Sequence, residues 1–253
     1  MAEGLDNPLD LYRGQKRSLG MITPSGNIVV ERMTAAILRD FPSVSGHFSR
    51  IRVVGSSDAY SDDYDWEGML SAAELLGHAQ LDTICWNGSK GGSIGLDADR
   101  KLVASITDKT GIAACTSTLA IEELFLRKGI SRFGLVTPYA TAYASKIPPH
   151  FARAGFSCVA QAHSGLTDNF SYCTVPDADI VAMVRDVAAS RPQAIITYCT
   201  NFPAAHLVDV LERELGIPIY DSVSIGVWKS LCLANVPTAP GRRWGSAFAE
   251  AAG

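Results

Sequence analysis

The sequence predicts an α/β protein of two pseudo-symmetric halves, each a parallel sheet flanked by helices, with a site in the cleft between them. Three observations predict it. Short apolar runs alternate with helical patterns along most of the chain, as in parallel strands joined by crossover helices. The alternation restarts near residue 131. Three segments also recur in order: "LGMITPSGN" (19–27) resembles "FGLVTPYAT" (133–141), "LDTICWNGS" (81–89) resembles "PQAIITYCT" (192–200), and "TGIAACTST" (110–118) resembles "LGIPIYDSV" (215–223). Ordered self-similarity at near-constant spacing reads as an internal repeat.

Each element has a local reason. "RSLGMIT" is apolar and β-prone, and "NIVVERMTAAILRDF" has helical spacing. "HFSRIRVV" reads as the second strand, and "WEGMLSAAELLGHA" as the helix after a polar loop. "LDTICW" is a buried strand that leads into the glycine-rich "NGSKGGSIG". "DADRKLVASITDKTG" opens on acids and stops at glycine, as helix ends prefer. "IAACT" is a strand, and "STLAIEELFLRKG" a helix with a serine cap and a glycine stop. The second half repeats this with "RFGLVT", a helix to "RAG", "FSCVAQA", "PDADIVAMVRDVAAS", "AIITYC", "PAAHLVDVLEREL", "IPIY" and "SVSIGVWKSLCLA". The expected organisation is an N-terminal arm (1–16), a first half (17–130), a second half (131–236) and a C-terminal tail (237–253). The tail is rich in small residues and fits either a partner-contacting arm or a frayed end.

Composition narrows the function. The chain has 253 residues, 47% hydrophobic and 19% charged, enough for a substantial core. The formal net charge of −4 comes without a basic stripe, which argues against nucleic acid. No apolar run reaches membrane-spanning length, and the N-terminus lacks a signal-peptide core, so the expected location is cytoplasmic. The six cysteines form no C-x-x-C pair and the five histidines are dispersed, so no metal site is expected. Cytosolic thiols are reduced, and each is core filler or a reagent.

In a parallel sheet, ligands collect beyond the carboxyl ends of the strands. Residues 23–27, 87–91, 137–141 and 198–201 fall there in both halves. Cys199 follows an apolar strand, and Pro203 suits the first turn of a following helix, whose N-terminus would favour a thiolate. A buried cysteine at a strand end serves equally well as core. Thr200 and Asn201 add hydroxyl and amide donors. "NGSKGGSIG" matches neither a Walker A loop nor a G-x-G-x-x-G fingerprint. Its backbone N–H groups at Gly88, Ser89 and Lys90 suit a carboxylate or an oxyanion, or form an ordinary surface loop. Lys90 pairs with an anion or points into water. Asn27 can bind a carboxylate or cap its helix, Tyr139 can donate a hydrogen bond or pack, and Asn169 lies on a loop near the same cleft.

In order and spacing, "GMITPSGN", "TPY", "TDNF" and "ITYCTN" resemble the aspartate/glutamate racemase superfamily. The nearest branch is that of maleate cis–trans isomerases and arylmalonate decarboxylases. The resemblance covers residues 17 to about 233. It implies two α/β halves around a cleft, no cofactor and a small mono- or dicarboxylate substrate. It also implies Asn27, Tyr139 and Asn169 as carboxylate ligands and Cys199 as the catalytic thiol. The chain departs from the racemases and isomerases at Gly88, where they carry a first cysteine; Cys85 is three residues upstream, inside the strand. Arylmalonate decarboxylases keep only the second cysteine and have glycine first. The expectation is therefore a cofactor-independent decarboxylase. Cys199 would supply the proton and Gly88, Ser89, Lys90 and Thr200 the oxyanion donors. A maleate isomerase or racemase variant and a non-catalytic carboxylate-binding relative are the alternatives. Oligomeric state is left open.

Overall fold

The computed structural model describes Gly14 and residues 16–53 and 55–249. Each half holds one four-stranded, all-parallel sheet. The first is ordered β2-β1-β3-β4, with β1 Arg17–Pro24, β2 Val44–Ile51, β3 Thr83–Trp86 and β4 Ala113–Thr116. The second is ordered β6-β5-β7-β8, with β5 Arg132–Tyr139, β6 Ser157–Leu166, β7 Ala194–Thr197 and β8 Ile219–Asp221. The identical order bears out the two-half α/β architecture. The helices are α1 Val29–Leu38, α2 Trp66–Gly77, α3 Gly91–Ile94, α4 Leu96–Thr110, α5 Ser117–Lys128, α6 Thr141–Ala144, α7 Ile147–Arg153, α8 Asp177–Ala188, α9 Val208–Leu215 and α10 Ser222–Leu233.

Three local expectations shift. β2 starts earlier than its apolar residues indicate, because it pairs with β1 residue by residue from Arg17↔Val44 to Pro24↔Ile51. Arg52 and Val53 are thereby released towards the cleft. The cap of α5 is Thr116, whose hydroxyl accepts from the Leu119 N–H, and not the following serine. The helix expected from residue 203 is broken into a turn, a 3₁₀ segment at Ala205–Leu207 and then α9.

The two halves share a core. Helix α10, buried on nearly every side, packs on α5 and α1 from the first half. Its Gly226 lets it approach the loop after β3, since a Cβ there would lie 2.8 Å from Ser117 Oγ and 2.9 Å from Asn87 Nδ2. The Asn87 side-chain amide donates to the Val223 carbonyl (3.3 Å) and its carbonyl accepts from Ser117 Oγ (3.2 Å). A helix of the second half thus buttresses a cleft loop of the first.

The C-terminal residues folded in the structure pack on the chain itself. Phe248 is fully buried, Arg243 Nε and Trp244 Nε1 donate to Asp40 (2.7 and 2.9 Å), and Ser246 binds Glu212. Most of the expected N-terminal arm lies outside the described residues.

Two carboxyls lie wholly buried. Asp99, on α4, accepts from the Tyr64 hydroxyl and from Thr116 Oγ1 (2.5 Å). Asp221 caps α10 through the Val223 and Ser224 N–H groups (3.0 Å each) and accepts from Thr197 Oγ1 (3.0 Å). Burial lifts each to about 6, against the pull of these hydrogen bonds. A carboxyl raised on folding holds more protons in the native chain than in the unfolded one between pH values of about 4 and 6, so stability grows as pH falls through 6. Each group adds on the order of 1 kcal/mol at pH 5 relative to pH 7.5. Burial lowers His150 and His163, which oppose this trend, so the test is a difference. We expect calorimetry to give a melting temperature, relative to Asp99→Asn, that is higher at pH 5 than at pH 7.5; a difference that stays flat or shrinks on acidification contradicts the assignment.

Candidate active site

One cavity of about 390 Å³ opens between the carboxyl ends of the two sheets. The first half contributes Pro24 and Asn27 after β1, Arg52, Tyr60 and Asp63 from the segment after β2, and Trp86, Ser89 and Lys90 at and after β3. The second half contributes Tyr139 at the end of β5, Tyr143 on α6, Asn169 and Tyr172 after β6, and Cys199, Thr200 and Asn201 after β7. Strand-end loops of both halves meet there as expected for parallel sheets.

Cys199 is 3% exposed, and that exposure is to this cavity. Its sulfur accepts from the Asn201 N–H at 3.4 Å. Burial pushes the thiol up to about 12, while hydrogen bonds from Tyr139 and from Asn201 N–H oppose the rise. The expected helix N-terminus is absent, because the chain turns through residues 200–204 before its 3₁₀ segment. With no helix dipole to stabilise a thiolate, desolvation prevails and the sulfur keeps its proton.

Neutral donors surround the sulfur. Ser89 Oγ and the Tyr139 hydroxyl lie 2.9 Å apart. Tyr139 makes edge-on contacts with Tyr143 (4.9 Å between centroids) and Tyr172 (5.1 Å), and Tyr143 with Tyr60 (5.6 Å). Burial raises all four phenols, Tyr143 and Tyr172 to about 12, so each remains a hydroxyl able to donate.

The amides form a seam between the halves. Asn27 caps its helix and reaches across to the second half. Its Oδ1 caps α1 by accepting from Val29 and Val30 N–H (2.8 and 3.0 Å), and its Nδ2 donates to Thr200 Oγ1 (3.1 Å). Asn201 Oδ1 accepts from Ile28 N–H (3.1 Å) and its Nδ2 donates to the Asn169 carbonyl (2.7 Å). Asn169 is buried and lines the cavity, yet its Nδ2 has no hydrogen-bond partner among the described residues. A buried donor left open beside a cavity is costly unless a ligand fills it.

Two members of the expected donor loop are placed differently. The Lys90 ammonium donates to the Asp63 carbonyl and lies 5.8 Å from the Tyr64 ring centroid. It holds the segment after β2 over the cavity, as Lys146 does through Asp62 (2.8 Å). Gly88 does not line the cavity; the Trp86 indole covers it. A Cβ built at Gly88 would be 2.7 Å from Trp86 Cη2 and closer still to two other ring atoms. Yet Gly88 and Cys199 are topological equivalents, each two residues past the last residue of the third strand of its sheet.

A model of the arylmalonate decarboxylase family matches residues 88–243. The chain belongs to that family. It is also 26% identical over 238 residues to the maleate isomerase of Nocardia farcinica, covering 88% of this chain and 92% of the relative. The maleate isomerase of Geobacillus stearothermophilus is 22% identical over 236 residues, covering 87% and 92%. Among solved structures, a cysteine-to-serine mutant of the Nocardia farcinica maleate cis-trans isomerase with a covalently bound succinylcysteine intermediate superposes with a TM-score of 0.81 at 22% identity, covering 92% of this chain and 98% of that one. An arylmalonate decarboxylase structure gives 0.77 at 20% identity, covering 92% and 100%. Family membership makes the chain an enzyme of this branch.

Of the residues named from the family resemblance, Asn27, Ser89, Lys90, Tyr139, Asn169, Cys199 and Thr200 share one cavity, and Gly88 lies behind it. Sequence reasoning missed Tyr60, Tyr64, Trp86, Tyr143 and Tyr172. Their only signal was aromatic content in loops and at strand ends, which does not distinguish core from cavity. Cys158 and Cys232, expected in the core, are half-buried. Cys199 lines the cavity, and a thiol pushed up to about 12 resists alkylation near neutral pH. Alkylation of Cys199 by iodoacetamide, read by mass spectrometry, is expected to rise about tenfold per pH unit from 7 to 10; a plateau near pH 8 contradicts the assignment.

Proposed function

We propose that this protein decarboxylates a substituted malonate, with Cys199 as the single proton donor. The observation that carries this reading is the single cysteine lining the cavity, whose topological partner Gly88 is covered by an indole. Addition of sulfur to a maleate double bond needs a thiolate, and two-base racemisation needs a proton acceptor on each face. A buried thiol near 12 suits neither and suits protonation of a carbanion.

The step balances simply. The bond from the α-carbon to one carboxylate breaks heterolytically and carbon dioxide leaves. The electron pair passes into the remaining carboxylate as an enediolate. Ser89 Oγ, the Tyr139 hydroxyl and the Thr200 side supply donors to its oxygens. Cys199 gives its proton to carbon, and the thiolate recovers one from water. Asn27 and Asn169 hold carboxylate oxygens through their amide hydrogens. Ile51, Met69 and Trp86 supply an apolar wall for the aromatic substituent. Lys90, turned to Asp63, helps to close the cavity and is removed from the donor set.

Phenylmalonate is expected to release one carbon dioxide and consume one proton per turnover. In D2O the product should carry deuterium at the α-carbon. Cys199→Ser should cut kcat at least 10³-fold, of the size lost with a positioned acid, while a thermal shift by phenylacetate persists. Carbon dioxide release by Cys199→Ser at the native rate refutes the role.

A second reading is a maleate isomerase variant. The unsatisfied Asn169 amide supports it, since two carboxylates would use more amide donors than one. Conversion of maleate to fumarate without gas release selects that reading over the first.

A further inference from the structure

The Trp86 indole has a role that the reaction above does not use. It ends β3, is 1% exposed, and stands where a first-half side chain equivalent to Cys199 would project. It is pinned there: Nε1 donates to the Tyr64 hydroxyl (3.1 Å), and that hydroxyl donates to the buried Asp99 carboxyl, which Thr116 also holds. Tyr64 packs edge-on against Trp86 with centroids 6.1 Å apart. Gly91 keeps the carboxyl in reach, because any Cβ at that position would overlap Asp99. Rotating the indole away therefore breaks a hydrogen-bonded strut anchored on a fully buried group, which is costly.

We infer that Trp86 is a specificity-determining residue that makes the cavity one-faced, filling the place of a second acid–base group so that a reacting carbon meets a proton from the Cys199 side alone. Tyr64 and Asp99 are positioning residues that act through Trp86. Replacing Gly88 by cysteine is then not enough to build a two-thiol site, because the new side chain collides with the indole and stays out of the cavity. This rests on the single-acid reading of Cys199, so the experiment has one arm that depends on turnover and one that does not.

In the first arm, racemisation of enantiopure 2-phenylpropionate is followed in D2O by optical rotation and α-proton exchange. Gly88→Cys is expected to stay within threefold of the wild-type protein, and Gly88→Cys/Trp86→Ala to exceed it at least tenfold. Trp86→Leu replaces Trp86→Ala if the latter is poorly folded by circular dichroism. If the wild-type protein releases carbon dioxide from phenylmalonate, equal racemisation by the single and double variants overturns the inference. In the second arm, iodoacetamide labelling at position 88 is read by mass spectrometry, with no turnover needed. It should be at least tenfold faster in Gly88→Cys/Trp86→Ala than in Gly88→Cys. Equal labelling overturns the inference even if no substrate is turned over. Faster labelling in the double variant without carbon dioxide release from the wild-type protein supports the steric role of Trp86 and refutes the decarboxylase reading alone.

Discussion

The site depends on one short amide bridge. Asn201 joins the turn that carries Cys199 to the Ile28 N–H of the first half and to the Asn169 carbonyl of the loop after β6. The bond to Asn169 is buried and the bond from Ile28 partly so, where an unmade amide bond is costly and a made one is strong. Three strand-end segments are thereby brought to one register. Thr200 adds a second tie through the Asn27 amide. Without this seam the two sheets would still share the α10–α5 core, but the donors would have no fixed distance from the sulfur.

Burial does most of the chemical tuning. The same desolvation that lifts Cys199 to about 12 keeps the phenols around it protonated. Around the sulfur itself the donors are neutral hydroxyls and amides, which hold a thiolate poorly. Arg52 lines the cavity, and two other nearby cations are engaged with the chain. Lys90 is held by Asp63, and Arg50 braces the loop after β1 through the Ser25 and Asn27 carbonyls (2.7 and 3.1 Å). The charge of these side chains serves to shape the walls.

The chain combines features of two kinds of relative. Its amides Asn27 and Asn169 suit a carboxylate-rich ligand, while its single cavity thiol and aromatic wall suit an apolar substituent and one proton transfer. The wall matters more, because it sets which groups fit beside the sulfur. Trp86 is part of that wall and covers Gly88 at once, so the inferred one-sided chemistry and the shape of the wall rest on the same side chain.

The α/β class, the duplicated order of strands and the identity of most cavity loops were legible in the sequence. Parallel strands leave apolar runs, and their ends are punctuated by Thr-Pro, Asn-Gly and Cys-Thr-Asn. Cys199, Ser89, Tyr139, Asn27 and Asn169 were legible as members of one constellation because each ends or follows a strand. What Cys199 could do was not legible. A proline at 203 is compatible with a helix start and with a turn, and only the packed turn decides that no helix dipole supports a thiolate. The direction of the Lys90 side chain was likewise undetermined, because its partner is a backbone carbonyl of a distant loop. Gly88 read as an open donor turn, yet a side chain two residues upstream lies across it. Such choices depend on contacts between residues far apart in the chain, and the tertiary structure alone sets those.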